Sequence, residues 1–441
     1  MTTATGSVGR RSGLFVVSRL IASTGFFVAV VLLAHGLEPS GRGAVAFLTV
    51  TALTASAVVR LGVGDATVVF GARGPARRRE LFSNLLLWTL VSSSIGGCVA
   101  AAILLMAGDQ RPTGIGPPEI IAVALGTVFS ALVDAGYPML LASARVREMA
   151  TITAAGPWRY AGVVAGTALT GGLTIIAAAI AWVISQGVWA AAIWFASVRG
   201  IGLGRPNGAL LLEMVSFGLQ AWVGNLAYFL NARFDQLLVG ILASTSSLGA
   251  YAVAVNAAEV ALYIPTASAQ ALLSAVARDA PDTRAARVTL AFRAALLATV
   301  AVSALAALSG PLVVPLIFGA GYGGAVLPFL LLLPGGIGFA AISILSSGLL
   351  LASSPRLASV GPAVSLIAGV ALDFALIPLL GVQGAAVAAT AALLAGGAAT
   401  LISYKTRMKV SWNSFVPTTS DVALLRSFAS TAMRWLVRRS A

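Results

Sequence analysis

The chain has 441 residues, 59% of them apolar and only 10% charged, with 28 lysines and arginines against 14 acids, one histidine and one cysteine. A mean hydropathy of +0.96 and a charged fraction far below the roughly 25% of soluble domains exclude a soluble globule and leave a multi-pass membrane protein. The lone histidine and cysteine exclude a metal cluster, an internal disulfide and a Ser-His-Asp set; no Walker A pattern occurs, so no enzyme, cofactor or metal is expected.

A helix needs about 20 apolar residues to cross a bilayer. Apolar runs and their Gly, Pro and charge punctuation predict spans near 12–36, 43–70, 80–107, 117–145, 148–171 and 173–198. A second set lies near 209–243, 247–277, 284–309, 323–352, 356–380 and 382–404. These twelve helices form an all-α protein of two six-helix lobes, residues 1–203 and 204–405, followed by a tail at 406–441.

The first apolar run follows Arg10 and Arg11 as a signal peptide would, but lacks a small-x-small cleavage site and reads as a retained helix. Basic residues then cluster on one side of the membrane. Arg73, Arg77 to Arg79, Arg145, Arg147, Arg199, Arg205, Arg278, Arg284, Arg287 and Arg356 share the N-terminal side, whereas Arg42 and Arg111 fall in opposite loops. That asymmetry places both termini in the cytoplasm and accounts for the net charge of +14 without nucleic acid.

Cys98, within an apolar helix, reads as core packing, His35 as a structural residue at the outer end of the first helix, and the GxxxG at Gly162 and Gly166 as a packing face. From Ser420 an amphipathic helix is expected, with Leu425, Phe428, Trp435 and Leu436 on one face and Arg426, Arg434 and Arg438 on another. It suits the anionic headgroups of the inner leaflet, with a partner-binding helix as the competing reading.

Ionisable residues at membrane depth mark pathways or pair with one another. Here they are Arg19, Arg60, Arg159, Arg233 and Arg293 against Asp65, Asp134, Asp235, Glu259 and Asp373. An internal repeat is also visible, Gly43-Ala44-Val45-Ala46 against Gly249-Ala250-Tyr251-Ala252, an offset of 206 residues. Six intervening helices start both halves on the same side, with a central cavity between them.

Several stretches resemble the Wzx-type polysaccharide flippases of the MOP superfamily. They are Asn231-x-Arg233-x-Asp235, Leu248-Gly249-Ala250-Tyr251, the Ile264-Pro265 break, Leu37 to Gly43 and Arg60-Leu61-Gly62-Val63-Gly64-Asp65-Ala66, where Arg60 replaces the family's acidic residue. Pro315 to Gly319 with Tyr322, Leu372-Asp373, Leu376 to Pro378, and Gly381 to Ala386 resemble its C-terminal signature. The resemblance implies translocation of a polyprenyl-diphosphate-linked oligosaccharide by alternating access in the bacterial cytoplasmic membrane.

It further implies a cavity lined by the first, second, seventh and eighth helices. Arg19, Arg60, Arg233 and Glu259 are then the expected substrate-binding residues, arginine suiting a phosphate through its permanent charge and forked donors. Asp235 and Glu259 are candidates for coupling to a proton or sodium ion, while Arg159 and Arg293 are expected farther out, paired with Asp134 or Asp373. A polysaccharide polymerase and glycosyltransferases are the implied partners. The alternative is a MATE-like cation-coupled exporter of small amphipathic molecules, and a non-transporting scaffold would pair every charge.

Overall fold

The computed structural model describes residues 2–73, 77–108, 111–143, 145–276, 281–352, 354–419 and 421. In hydrocarbon only internally hydrogen-bonded backbone is tolerated, and every regular element among the described residues is helical. In order they are α1 (Thr2–Gly36), α2 (Pro39–Val59), α3 (Val63–Arg73), α4 (Arg78–Met106), α5 (Pro117–Ala142), α6 (Val146–Leu169) and α7 (Ile175–Val198). There follow α8 (Gly208–Leu242), α9 (Thr245–Val276), α10 (Pro281–Phe318), α11 (Val326–Leu332), α12 (Gly335–Leu351), α13 (Pro355–Leu380) and α14 (Val382–Met408). Short 3-10 segments occupy Ala320–Ala325 and Trp412–Phe415.

A helix lies over each of the twelve expected segments. By length and composition alone eight helices among the described residues can cross a membrane, or ten if two bent pairs, Gly208–Gln220 with Trp222–Leu242 and Ala320–Leu332 with Gly335–Leu351, each count as one. The segment expected at 43–70 is two helices, α2 and α3, broken at Leu61 and Gly62. Local chemistry sets several starts. Glu119 caps α5 through the Gly116 N–H at 2.9 Å, and Asn84 of α4 clasps Asn207 at the head of α8 with reciprocal bonds of 2.8 and 2.9 Å.

Contacts divide the chain into two compact units, Met1–Val253 with Pro315–Gly324, and Ala254–Val314 with Ala325–Ala441. In the first, α5 packs against α2, α3, α4 and α7, and α1 against α6. Leu33, Val45, Tyr160, Val164 and Ala178 form one core there, and Val63, Phe82, Met139 and Met214 another.

The two copies of the repeat meet inside this first unit. A Cβ on Gly43 would lie 1.8 Å from the Thr245 carbonyl oxygen and 2.8 Å from the Gly249 nitrogen. A Cβ on Gly249 would lie 1.9 Å from the Pro39 carbonyl oxygen and 3.0 Å from the Gly43 nitrogen. Each glycine thus faces the carbonyl four residues before the other, a reciprocal contact of the kind a two-fold axis generates. With no Cβ on either side, the first turns of α2 and α9 touch backbone to backbone.

In the second unit α14 packs on α11, α12 and α13. Its core gathers Val288, Phe292, Ile344, Leu345, Tyr404 and Phe415. Phe415 comes from beyond α14, and behind it Asp421, 1% exposed, receives the Arg293 guanidinium at 2.9 Å. Arg293 also donates to the Ser414 carbonyl at 3.0 Å, so residues 410–419 and Asp421 form a strap along α10 and α14.

Four expectations are corrected. Cys98 is exposed on α4 beside Ile95 and Val99, because the small residues Ser93, Gly96 and Gly97 turn the opposite face toward the protein. Gly162 and Gly166 have open space before them, since α6 packs through Tyr160, Ala161 and Val164. Arg42 is not in a loop but buried in the first turn of α2. Arg293 pairs with Asp421 in place of a membrane-embedded aspartate. The amphipathic helix expected from Ser420 lies, apart from Asp421, outside the described residues.

Candidate functional site

The break after α2 builds the site. Leu61 and Gly62 have φ of 43° and 69°, the left-handed region that stops a helix and favours glycine. Gly62 is pressed onto α8, where an added Cβ would stand 2.1 Å from the Gly218 carbonyl oxygen. Ending a helix inside a protein orphans its last carbonyls. Two indoles satisfy them: Trp222 donates to the Ala57 carbonyl at 3.1 Å, and Trp88 to the Arg60 carbonyl at 3.2 Å.

The side chains around this break line a polar cavity of about 170 Å³, walled by α2, α3, α4, α5 and α8. Arg60 reaches Asp134 of α5 at 2.9 Å, and Asp65 accepts from Asn225 of α8 at 2.9 Å. The Arg60 and Asp134 side chains are 37% and 38% exposed. Pairs that wet are worth on the order of 1 kcal/mol or less, so Arg60 is only weakly committed to this carboxylate.

One helical turn beyond Asp134 stands Tyr137, whose hydroxyl accepts from Thr153 at 3.3 Å and whose ring meets Trp189 edge-on at 6.4 Å. Asp134, Arg19 and Arg159 all lie within its electrostatic reach. Arg159 is stacked over Trp189 at 5.5 Å, and its Nε and Nη2 are buried without hydrogen-bond partners. Arg60, just past the end of α2, thus pairs on this turn of α5, Arg159 of α6 stacks on the Trp189 that meets Tyr137, and Arg19 of α1 is within electrostatic reach.

Of the residues expected at the site, Arg60 lines the cavity, and Arg19 is exposed on α1 near the same turn of α5. Arg233 and Asp235 are half-buried on α8, where Asp235 accepts from the Tyr251 hydroxyl at 2.6 Å. Glu259 is half-buried on α9 in the second unit. The pairing of Asp134 is with Arg60, not Arg159. Sequence reasoning missed Tyr137, Asn225 and the two indoles; the Asp134-x-x-Tyr137 spacing, which puts both on one helix face, was the available signal.

By sequence, no curated protein matches the chain. Among solved structures it is similar to the lipid II flippase MurJ in an inward closed conformation, with a TM-score of 0.76, 12% identity, and 97% of this chain and 92% of that chain covered. It is similar also to an inward-facing multidrug resistance MATE family transporter of the MOP superfamily (TM-score 0.71, 14% identity, 89% and 98% covered). A third is a MOP superfamily transporter from Pyrococcus furiosus described as having reversed binding-pocket polarity (0.61, 15%, 90% and 95%). At these identities the likeness establishes the fold. The family model described as polysaccharide biosynthesis protein matches residues 32–327, about two-thirds of the chain, and the chain therefore belongs to that family.

Proposed function

We propose that this protein moves a polyprenyl-diphosphate-linked oligosaccharide from the inner to the outer leaflet of the bacterial cytoplasmic membrane by alternating access, through twelve spans in two lobes, 1–203 and 204–405, with both termini cytoplasmic. The observation that carries the reading is the grouping of Arg19, Arg60 and Arg159 around the Asp134–Tyr137 turn of α5. A diphosphate is the part of such a substrate that needs fixed positive charge, and guanidinium supplies it without a proton equilibrium. The neighbouring acids are Asp65 and Asp134, so the arginines exceed them. The alternative, a MATE-like cation-coupled exporter of small amphipathic molecules, calls for a predominantly acidic cavity when its cargo is cationic.

Arg233 and Glu259 complete the expected substrate-binding set, and Asp235 and Glu259 are the groups through which a proton or sodium gradient would bias the cycle. The test is reconstitution with a fluorescent lipid-linked sugar. Arg19→Lys and Arg60→Lys keep the charge but lose the fork and slow translocation; the alanine variants slow it further. Well-folded Arg19→Ala and Arg60→Ala proteins that translocate at the normal rate would eliminate the phosphate clamp.

A further inference from the structure

The clamp leaves one buried cation unused. Arg42, in the first turn of α2, is 5% exposed, its Nε is buried without a hydrogen-bond partner, and it forms no ion pair among the described residues. Glu38, one turn earlier, is exposed. Two hydroxyls lie within its electrostatic reach, those of Tyr160 on α6 and Tyr322 in the segment 320–325. The Tyr160 hydroxyl is itself buried without a partner, whereas that of Tyr322 donates to the Leu37 carbonyl at 3.1 Å. A guanidinium does not shed its proton, and burying an unpaired charge is strongly unfavourable.

The internal repeat supplies a control. At the offset of 206 residues the counterpart of Arg42 is Leu248, fully buried in the first turn of α9. Packing beside this glycine crossing is therefore satisfied by leucine, and the charge at 42 serves something that packing does not require.

Around the turn that carries Arg42 is a set of short contacts within the first unit. Gly43 lies on the Thr245 carbonyl, and Thr113 bonds the Thr245 hydroxyl through its N–H at 3.1 Å and its hydroxyl at 2.9 Å. Tyr322 holds Leu37, and Phe27 meets Phe318 edge-on at 5.8 Å. The α2–α9 crossing thus lies one residue along α2 from Arg42, and Tyr322 is held at Leu37, just before α2 begins. Arg42 and Arg60 are eighteen residues apart in the sequence, about 27 Å at 1.5 Å per residue, nearly the roughly 30 Å thickness of the hydrocarbon core.

We propose that Arg42, with Tyr160 and Tyr322, is a second phosphate-binding station, sealed in the present arrangement and opened by separation of the α2–α9 crossing, which receives the substrate diphosphate after Arg60 releases it. This rests on the function proposed above. Anion binding occurs only in the open arrangement, and the unpaired charge disfavours the sealed one, so a single residue both loosens the seal and captures what passes it.

The experiment compares wild type, Arg42→Leu, Arg42→Lys and Tyr160→Phe in proteoliposomes, reading melting temperature, translocation of a polyprenyl-diphosphate sugar, and inhibition by inorganic pyrophosphate added at the outer face. Arg42→Leu, which copies Leu248, folds and melts above wild type. Its translocation falls at least about ten-fold, the worth of one charge-assisted hydrogen bond, and pyrophosphate no longer inhibits it. Arg42→Lys falls between the two, and Tyr160→Phe folds, slows translocation and weakens the inhibition. An Arg42→Leu protein that melts below wild type, or keeps wild-type translocation and pyrophosphate sensitivity, overturns the station. If wild type itself moves no diphosphate-linked lipid, it is the proposed function that fails, and Arg42 loses its ligand with it.

Discussion

The reciprocal contact of Gly43 and Gly249 makes a quantitative prediction. An added methyl at Gly43 lies 1.8 Å from the Thr245 oxygen, and one at Gly249 lies 1.9 Å from the Pro39 oxygen. Favourable separation begins at about 3.5 Å, so either alanine must drive the first turns of α2 and α9 apart by roughly 1.5 Å. The obstacle is backbone on both sides, which has no rotamer to yield. Overpacking of this kind costs about 1–3 kcal/mol or more, and a shift of that size also breaks the Thr113–Thr245 and Tyr322–Leu37 bonds of 2.9 and 3.1 Å. Because one separation accommodates both methyls, the double variant should cost much less than the sum of the singles, a coupling on the order of 0.5–3 kcal/mol between contacting sites. The assay is thermal melting of Gly43→Ala, Gly249→Ala and the pair. Alongside it, a Thr113→Cys/Thr245→Cys pair in a Cys98→Ala background should cross-link readily with both glycines intact and poorly once either is replaced. Strictly additive losses, or two silent single variants, refute the reciprocal crossing.

Three further outcomes are expected. Asp421 lies outside the spans; burial raises its pKa, but hydrogen bonds from Thr418 and the Arg293 ion pair outweigh this and hold it below the usual 3.8. The pair therefore stabilises the strap at all pH values above that range and loses its effect as pH falls below 3.8 through the lowered folded value. Proteolysis of the strap should rise in that window in wild type, while Asp421→Asn is labile and flat with pH; equal acid profiles would show that the pair contributes nothing. Asp235→Asn and Glu259→Gln should abolish the dependence of translocation on an ion gradient, and a dependence unchanged in both excludes these carboxylates as the coupling sites. Single cysteines in the Cys98→Ala background should label from inside at Arg147 and Arg205 and from outside at Ser246 and Gly323, and one reversed site removes the twelve-span topology.

Sequence periodicity and charge found the helices because hydrocarbon admits little else: an apolar run of bilayer length flanked by arginine has essentially one solution. The 206-residue repeat was legible in its Gly-Ala runs, but the break at Leu61 and Gly62 was not, since an unbroken span was expected over 43–70. The faces were not legible. In a soluble helix the polar side marks the exterior, but here both the lipid-facing and the packed sides are apolar, so Cys98 and the Gly162/Gly166 stripe were assigned inward when both face away from the chain.

Pairing was likewise undecided. Five arginines and five acids at membrane depth admit many combinations, and only the packing of α2, α5 and α8 joined Arg60 to Asp134 and Asp65 to Asn225. Composition by itself determined a helical membrane protein, because that depends on solvent and on chain length. Tertiary structure decided which cations are answered by an acid and which, like Arg42, are sealed without one, because that depends on which helix faces meet, and the meeting of Gly43 with Gly249 involves residues more than two hundred positions apart.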